Sequence, residues 1–137
     1  MAASAAEPRH GVAVCVHGGA WAIPDGELAA AAAGTRRAAD AGFAVLAAGG
    51  SALDAVEAAV RVLEADPTFD AGVGSVLTSA GAVEMDALVI DGGAAVSGAG
   101  MRSGAIIGVD NVAHPVTVAR AVMERTPHCM LAGDGAK

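Results

Sequence analysis

Tyrosine is absent from this 137-residue chain, and Trp21, Phe43 and Phe69 are its only aromatics. Its core therefore cannot rest on large rings, the side chains that bury most apolar surface each. Cysteine is nearly as scarce. Cys15 and Cys129 lie far apart and in no C-x-x-C pair, so no disulfide framework, zinc site or dithiol redox motif is indicated. Two free thiols fit a reducing, cytoplasmic location. Positive charge is also thin: eight Lys and Arg against fifteen Asp and Glu give a net charge of −7. That balance argues against binding a phosphate backbone, so no nucleic-acid partner is expected. The acidic residues are dispersed and form no acidic tail. No apolar run approaches the ~18–20 residues that cross a bilayer, so no membrane partner is expected. Residues Met1 to Arg9 contain no apolar core of a signal peptide.

What the chain has instead is alanine and glycine, 36 and 19 of its 137 residues. The apolar fraction is 54%, too high for a disordered chain. The length suits one domain, since these run to roughly 100–150 residues. A core of Ala and Val is thin for that size, because small side chains remove little surface from water.

Past a tail at residues 1–10, Gly11 to His17 is a β-branched run bounded by glycine and reads as a buried strand. The loop His17-Gly18-Gly19-Ala20 and Trp21 to Asp25 follow. Glu27 to Ala48 is Ala-rich and predicts a helix, stopped by Gly49-Gly50. Ser51 reads as the N-cap of a second helix with Leu53, Val56, Val60 and Leu63 on one apolar face, ended by Pro67. Thr68 to Ser75 is a glycine-punctuated loop. Strands are expected at Ser75–Ser79 and Val83–Asp91, joined by an Ala80-Gly81 hairpin. A further strand is expected around Ala105-Ile106-Ile107. A third helix opens at Pro115 and runs from Val116 to Glu124, and a short strand is expected at His128–Leu131. The expected order is β-α-α-β-β-β-α-β, an α/β (α+β) architecture.

Several motifs fail on inspection. Gly98-Ala99-Gly100 precedes no convincing helix, so it is not a dinucleotide fingerprint, and Gly133 to Lys137 departs from the P-loop pattern. Glu84 and Asp86 share a strand face and could serve acid–base chemistry. Strand-end carboxylates more commonly hold loops, and that reading is preferred. His114 and His128 flank the third helix and read as structural or surface histidines. His17-Gly18-Gly19 is more informative. A glycine pair directly after a strand lets backbone N–H groups converge on one point, where they suit an anion or a developing oxyanion. Phe69-Asp70-Ala71-Gly72-x-Gly74 is a second such loop, carrying one polar side chain.

Taken in order, the motifs are His17-Gly18-Gly19-Ala20, Gly49-Gly50-Ser51-Ala52-x-Asp54-Ala55-Val56 and Leu63-Glu64-x-Asp66-Pro67-x-Phe69-x-Ala71-Gly72-x-Gly74-Ser75. Val83-Glu84-Met85-Asp86-Ala87, Asp91-Gly92, His114-Pro115 and Thr126-Pro127-His128 complete the set. This series resembles the N-terminal, α-subunit half of the plant-type L-asparaginases, or isoaspartyl peptidases, which are N-terminal nucleophile hydrolases. The likeness spans about Val12 to Ala136.

The resemblance implies a four-layer αββα sandwich of which residues 11–137 would form part. It implies a precursor that cleaves itself into α and β subunits and exposes a threonine at the start of the β subunit. That hydroxyl attacks the side-chain amide of asparagine, releasing ammonia, or the β-linked bond of an isoaspartyl dipeptide, with the threonine's own α-amine as base. The expected partners are the β subunit, a second αβ unit in a dimer of dimers, and a small-molecule substrate. Thr35, Thr68, Thr78, Thr117 and Thr126 match none of the family's catalytic threonines, so the chain by itself is expected to be inactive. A second expectation is a non-catalytic assembly protein that pairs with a full-length homologue or a separate β-like chain.

The resemblance also assigns supporting roles. His17, Gly18 and Gly19 match a loop beside the nucleophile whose conformation is tied to self-cleavage. Leu63, Glu64, Asp66, Phe69, Ala71 and Val73 match the backbone-carbonyl ligands of a structural sodium ion, and no catalytic cofactor is implied. Asp70 stands where an asparagine next to the scissile bond is common. Asparagine can donate a hydrogen bond and ionised aspartate cannot.

Overall fold

A computed structural model describes residues 11–93, 98 and 100–136. The expected tail at 1–10 lies outside these residues, as does Lys137. Among the described residues, α-helices α1 (Leu28–Ala47), α2 (Ala52–Glu64) and α3 (Pro115–Arg125) accompany strands β1 (Met85–Asp91), β2 (Arg102–Val109) and β3 (Met130–Ala132). The protein is a mixed α+β structure with one small sheet among the described residues.

Helix α1 ends as its glycines predict. Gly49 takes φ +85°, Gly49 N–H donates to Leu46 O and Gly50 N–H to Val45 O, both at 2.9 Å, which closes a Schellman turn. Ser51 then caps α2 in a reciprocal capping box: its Oγ accepts from Asp54 N–H at 3.1 Å, and Asp54 Oδ2 accepts from Ser51 N–H at 3.3 Å. The apolar face of α2 differs from the one expected. Val56 is 45% exposed, while Ala55 and Ala59 are buried. These alanines face α1 at Ala38 and Gly42, where a Cβ would lie 2.9 Å from Ala55 O. Leu53 and Val60 pack on the other side, against the sheet and α3. Helix α2 is thus wedged between two clusters, and its small residues make the closer of the two approaches.

The sheet runs β1-β2-β3, antiparallel between the first pair and parallel between the second. Met85, Val89, Ile106 and Val109 form its inner face, on which α3 lays Val116, Ala119, Val122 and Met123. Gly104 permits this contact, since a Cβ there would collide with the Ala119 carbonyl. On the opposite face, Leu88, Ile90, Ile107 and Met130 are 41–58% exposed.

Two expected strands are corrected. Gly11–His17 has Val14 and Val16 half-buried and their neighbours exposed, but it joins no ladder. A strand needs a neighbour to take its backbone hydrogen bonds, and none lies beside it among the described residues. Ser75–Ser79 forms only a Leu77–Val83 bridge, with Thr78 N–H donating to Ala82 O at 2.8 Å. The expected strand at His128–Leu131 forms two residues later, as β3. A bulge opposite Asp86 interrupts the β1–β2 register, and Asp86 Oδ1 accepts from Gly108 N–H at 2.8 Å. The carboxylate thus pins a bulge inside β2 rather than a loop.

Candidate functional site

The two glycine-rich loops meet in space. His17, Gly18 and Gly19 line a cavity of about 730 Å³ together with Pro67, Thr68, Phe69, Asp70 and Ala71. Leu63, Gly74, Trp21 and Val76 also line it. The sequence places these segments some fifty residues apart. Phe69 draws them together. Its ring is 5% exposed and presents one edge to Gly18 and the other to Gly34 of α1. A Cβ would lie 2.7 Å from Phe69 Cε1 at Gly18 and 2.6 Å from Phe69 Cε2 at Gly34, so both positions require glycine.

Each loop is internally braced. Gly19 takes φ +110° and its N–H donates to His17 Nδ1 at 3.1 Å. With Nδ1 accepting, the neutral imidazole carries its proton on Nε2. In the facing loop Asp66 Oδ1 accepts from Thr68 N–H at 2.9 Å, and Arg37 of α1 reaches Asp66 Oδ2 at 2.5 Å. The Thr68 N–H and hydroxyl, with Arg37 adding, hold the Asp66 carboxyl below its usual range. Asp70 Oδ1 accepts from Val76 N–H at 2.9 Å and fastens the far end of the loop.

The same loop crowds backbone carbonyls inward. Cβ atoms at Gly72 and Gly74 would overlap Glu64 O and Phe69 O respectively, so glycine is needed where these oxygens project. Among the described residues no cluster of three or more His, Cys, Asp or Glu is placed to hold a metal ion.

Of the residues singled out in the sequence, His17, Gly18, Gly19, Leu63, Phe69, Asp70 and Ala71 are brought to one cavity. Glu64, Asp66 and Val73 are not on its walls. The Glu64 side chain does something the sequence reading missed. It is 2% exposed, its Oε1 accepts from Val116 N–H at 2.8 Å, and its Oε2 lies 3.1 Å from His114 Nδ1. A carboxylate at the end of α2 thereby caps the start of α3. Burial pushes this carboxyl up, and the Val116 and His114 hydrogen bonds offset only part of that. The available signal was its place four residues after Val60, within the apolar side of α2. His114 is accordingly structural, as expected. His128 lies in an exposed turn, where its N–H donates to Thr126 Oγ1.

Arg120 was also missed. It pairs with Asp54 and Glu124 at 2.7 and 2.8 Å and with Glu57 Oε2 at 2.8 Å. The Ser51 hydroxyl, with Arg120 beside it, lowers Asp54 to about 2. Burial raises Glu57, but the Thr117 hydroxyl and Arg120 outweigh it and leave it below its usual range. These charges satisfy one another and tie α2 to α3. None of them faces the glycine-loop cavity.

All five threonine hydroxyls are engaged within the chain. The hydroxyls of Thr35 and Thr126 donate to the carbonyls of Ala31 and Val122, and Thr117 donates to Glu57 Oε1. Thr78 accepts from Ala82 N–H, and Thr68 bonds Asp66. No described helix is long and apolar enough to cross a membrane.

A protein-family model described as asparaginase matches residues 10–137. Over 125 residues the chain is 49% identical to an isoaspartyl peptidase/L-asparaginase of Rattus norvegicus, and over 124 residues 48% identical to the Homo sapiens protein of that name. It is 48% identical over 126 residues to a plant-type L-asparaginase of Pyrococcus abyssi. These matches cover 90–91% of the chain and 36–39% of the relatives, so the chain spans little more than a third of their length.

Proposed function

The chain belongs to the asparaginase family, and from that premise we propose that it is the α-subunit part of a self-cleaving threonine-nucleophile amidohydrolase. The reaction is hydrolysis of L-asparagine to aspartate and ammonia, of isoaspartyl dipeptides, or of both. The observation that carries this reading is the meeting of His17-Gly18-Gly19 with Phe69-Asp70-Ala71 around one cavity, in a chain about half identical to isoaspartyl peptidases/L-asparaginases.

In this reading the chain supplies the frame of the active site and the remainder of the polypeptide supplies the nucleophile. A threonine whose own α-amine is its base must begin a chain. The five threonines here are internal and committed to hydrogen bonds within the chain. The His17–Gly19 loop borders the nucleophile, with its shape held by the Gly19-to-His17 bond and by Phe69. Asp70 lies beside the bond that is cut. The carbonyls of Leu63, Glu64, Asp66, Phe69, Ala71 and Val73 would hold a sodium ion. Such an ion supplies fixed positive charge that stiffens the loop carrying Phe69 and Asp70. The exposed face of Leu88, Ile90, Ile107 and Met130 would pack on strands of the β subunit, which gives the sandwich its inner layers. The complete particle would be an αβ dimer of dimers in the cytoplasm.

The test is expression of the uninterrupted reading frame that contains this segment. We expect cleavage into two chains at a Gly-Thr-Val-Gly-type site and ammonia release from asparagine or cleavage of an isoaspartyl dipeptide. A full-length product that neither cleaves itself nor hydrolyses either substrate refutes the reading. Appreciable ammonia release by residues 1–137 alone refutes the division of labour.

A further inference from the structure

The dipeptide Asp-Gly occurs three times in the chain, at Asp25-Gly26, Asp91-Gly92 and Asp134-Gly135. Each pair can react with itself. The glycine nitrogen can attack the aspartate Cγ, because no side chain obstructs it and the glycine backbone turns freely. With the same residue following each aspartate, the fold is what separates the three.

Two of the pairs are held. Asp91 Oδ1 accepts from Gly93 N–H at 2.9 Å and Oδ2 from Arg102 at 2.7 Å, so both oxygens are pinned. Asp134 lies in the 3₁₀ turn Gly133–Ala136, which Ala136 anchors in the core. Asp25 is held by neither device. Its carboxylate makes no hydrogen bond or ion pair among the described residues. Asp25 and Gly26 are the central residues of a turn closed by Glu27 N–H donating to Pro24 O at 2.8 Å, and Gly26 N–H enters no described backbone hydrogen bond. Every residue from Pro24 to Ala30 is exposed. Helix α1 starts there with no side-chain cap and no acidic residue in its first turn. That end of the helix opens at little cost, and the turn before it opens with it.

We propose that Asp25 is a site of spontaneous isoaspartate formation in this chain. In the acid form of Asp25, the Gly26 nitrogen bonds to Cγ. The amide proton and the carboxyl hydroxyl leave together as water, which closes a five-membered imide. Water then adds at either imide carbonyl. Addition at the Asp25 backbone carbonyl breaks its bond to the Gly26 nitrogen and leaves the chain running through Cγ. Addition at Cγ restores the original link. Nothing is oxidised or reduced, and the mass is unchanged. The β-linked product lengthens the backbone by one atom between Trp21, which lines the glycine-loop cavity, and the start of α1. The chemistry is independent of the function proposed above.

The experiment ages the full-length chain that contains this segment in neutral buffer, well below its melting temperature. Proteolytic peptides of unchanged mass are separated by chromatography, and β-linkages are located by electron-transfer fragmentation. The product should accumulate at Asp25 about tenfold or more faster than at Asp91, since a hydrogen bond to a charged group is worth roughly that factor. In urea, where the carboxylates are released, the rates should converge. Gly26→Ala is the specific variant. A Cβ at Gly26 meets nothing within 4 Å and Gly26 does not take positive φ, so the fold accommodates alanine. The added methyl crowds the attacking nitrogen and should remove most of the Asp25 product. Equal rates at Asp25 and Asp91 in the folded chain overturn the proposal. So does a preference for Asp25 that persists in urea, or a Gly26→Ala chain that converts as fast as wild type.

Discussion

Under the function proposed above, one atom at position 70 would decide what the cavity can stabilise. Asp70 Oδ1 fastens the loop by accepting from Val76 N–H, a bond that an asparagine Oδ1 would reproduce. Asp70→Asn therefore keeps the loop, removes a negative charge and adds an N–H₂ donor. A single donor aimed at a developing oxyanion is worth about 10²-fold or more in rate. In the processed enzyme Asp70→Asn should raise kcat by at least about tenfold on that principle, with thermal stability unchanged. An unaltered kcat would place Asp70 away from the reacting bond. Glu64 offers the complementary case. Glu64→Ala leaves the buried Val116 N–H without an acceptor and should cost about 1–3 kcal/mol in urea unfolding. Glu64→Gln retains an acceptor of the same shape and should cost much less. Equal losses from both would mean that the cap at Val116 contributes nothing.

Helices α1 and α2 approach where both lack side-chain bulk, at Gly42, Ala38, Ala55 and Ala59. Alanine in place of a helical glycine ordinarily gains about 1 kcal/mol. At Gly42 the added Cβ would lie 2.9 Å from the Ala55 carbonyl, backbone that cannot turn aside. Gly42→Ala should therefore be destabilising by ~1–3 kcal/mol, as overpacked cores are. A stabilised variant in thermal melts would show that the helices can separate freely. At the other end of α2, Ser51→Ala removes the capping hydroxyl at a cost of about 1 kcal/mol. It should also let the Asp54 carboxyl rise from about 2 toward 3.8, visible in a side-chain NMR titration. The pH dependence of the fold follows from the same carboxylates. Asp54 ionises more readily folded than unfolded, so its contribution is present above 3.8 and disappears as the pH falls toward about 2. Glu57 and Asp66, also lowered, act in the same sense. Glu64 is raised and acts in the opposite sense: its contribution is complete below 4.5 and declines as the pH rises through its folded value. The melting temperature should therefore climb steeply between pH 2 and 4, and Glu64→Gln should flatten the decline above 4.5.

For the molecule as a whole, the outer face of the sheet is the unfinished surface. Leu88, Ile90, Ile107 and Met130 are each at least 41% exposed on a sheet whose other face is packed by α3. Contiguous apolar surface of this kind drives association. Residues 1–137 expressed alone should self-associate with rising concentration in sedimentation velocity. Leu88→Lys with Ile107→Lys should restore a monomer and, under the function proposed above, abolish assembly with the β subunit. Variants that still self-associate would put the sticky surface elsewhere.

Local chemistry made the helices legible. The alanines of α1, the Ser51–Asp54 box and Pro115 at the start of α3 act within a turn or two of chain, and all three helices formed close to their expected bounds. The ordered glycine motifs likewise disclosed the family, because Gly18, Gly19, Gly49, Gly50, Gly72 and Gly74 each answer a backbone demand that few other residues can meet. Strands were less legible, since the run at Gly11–His17 has the right residues and only a neighbouring strand could make it part of a sheet. The working details of the site depend on distance through space. Nothing adjacent to Phe69 in the chain announces that its ring is gripped by Gly18 and Gly34, or that Glu64 caps a helix fifty residues away. The scarcity of aromatics acquires its meaning there too. With so few rings, one went to lock two loops together and another was left facing the cavity, an allocation that packing decided and composition alone could not.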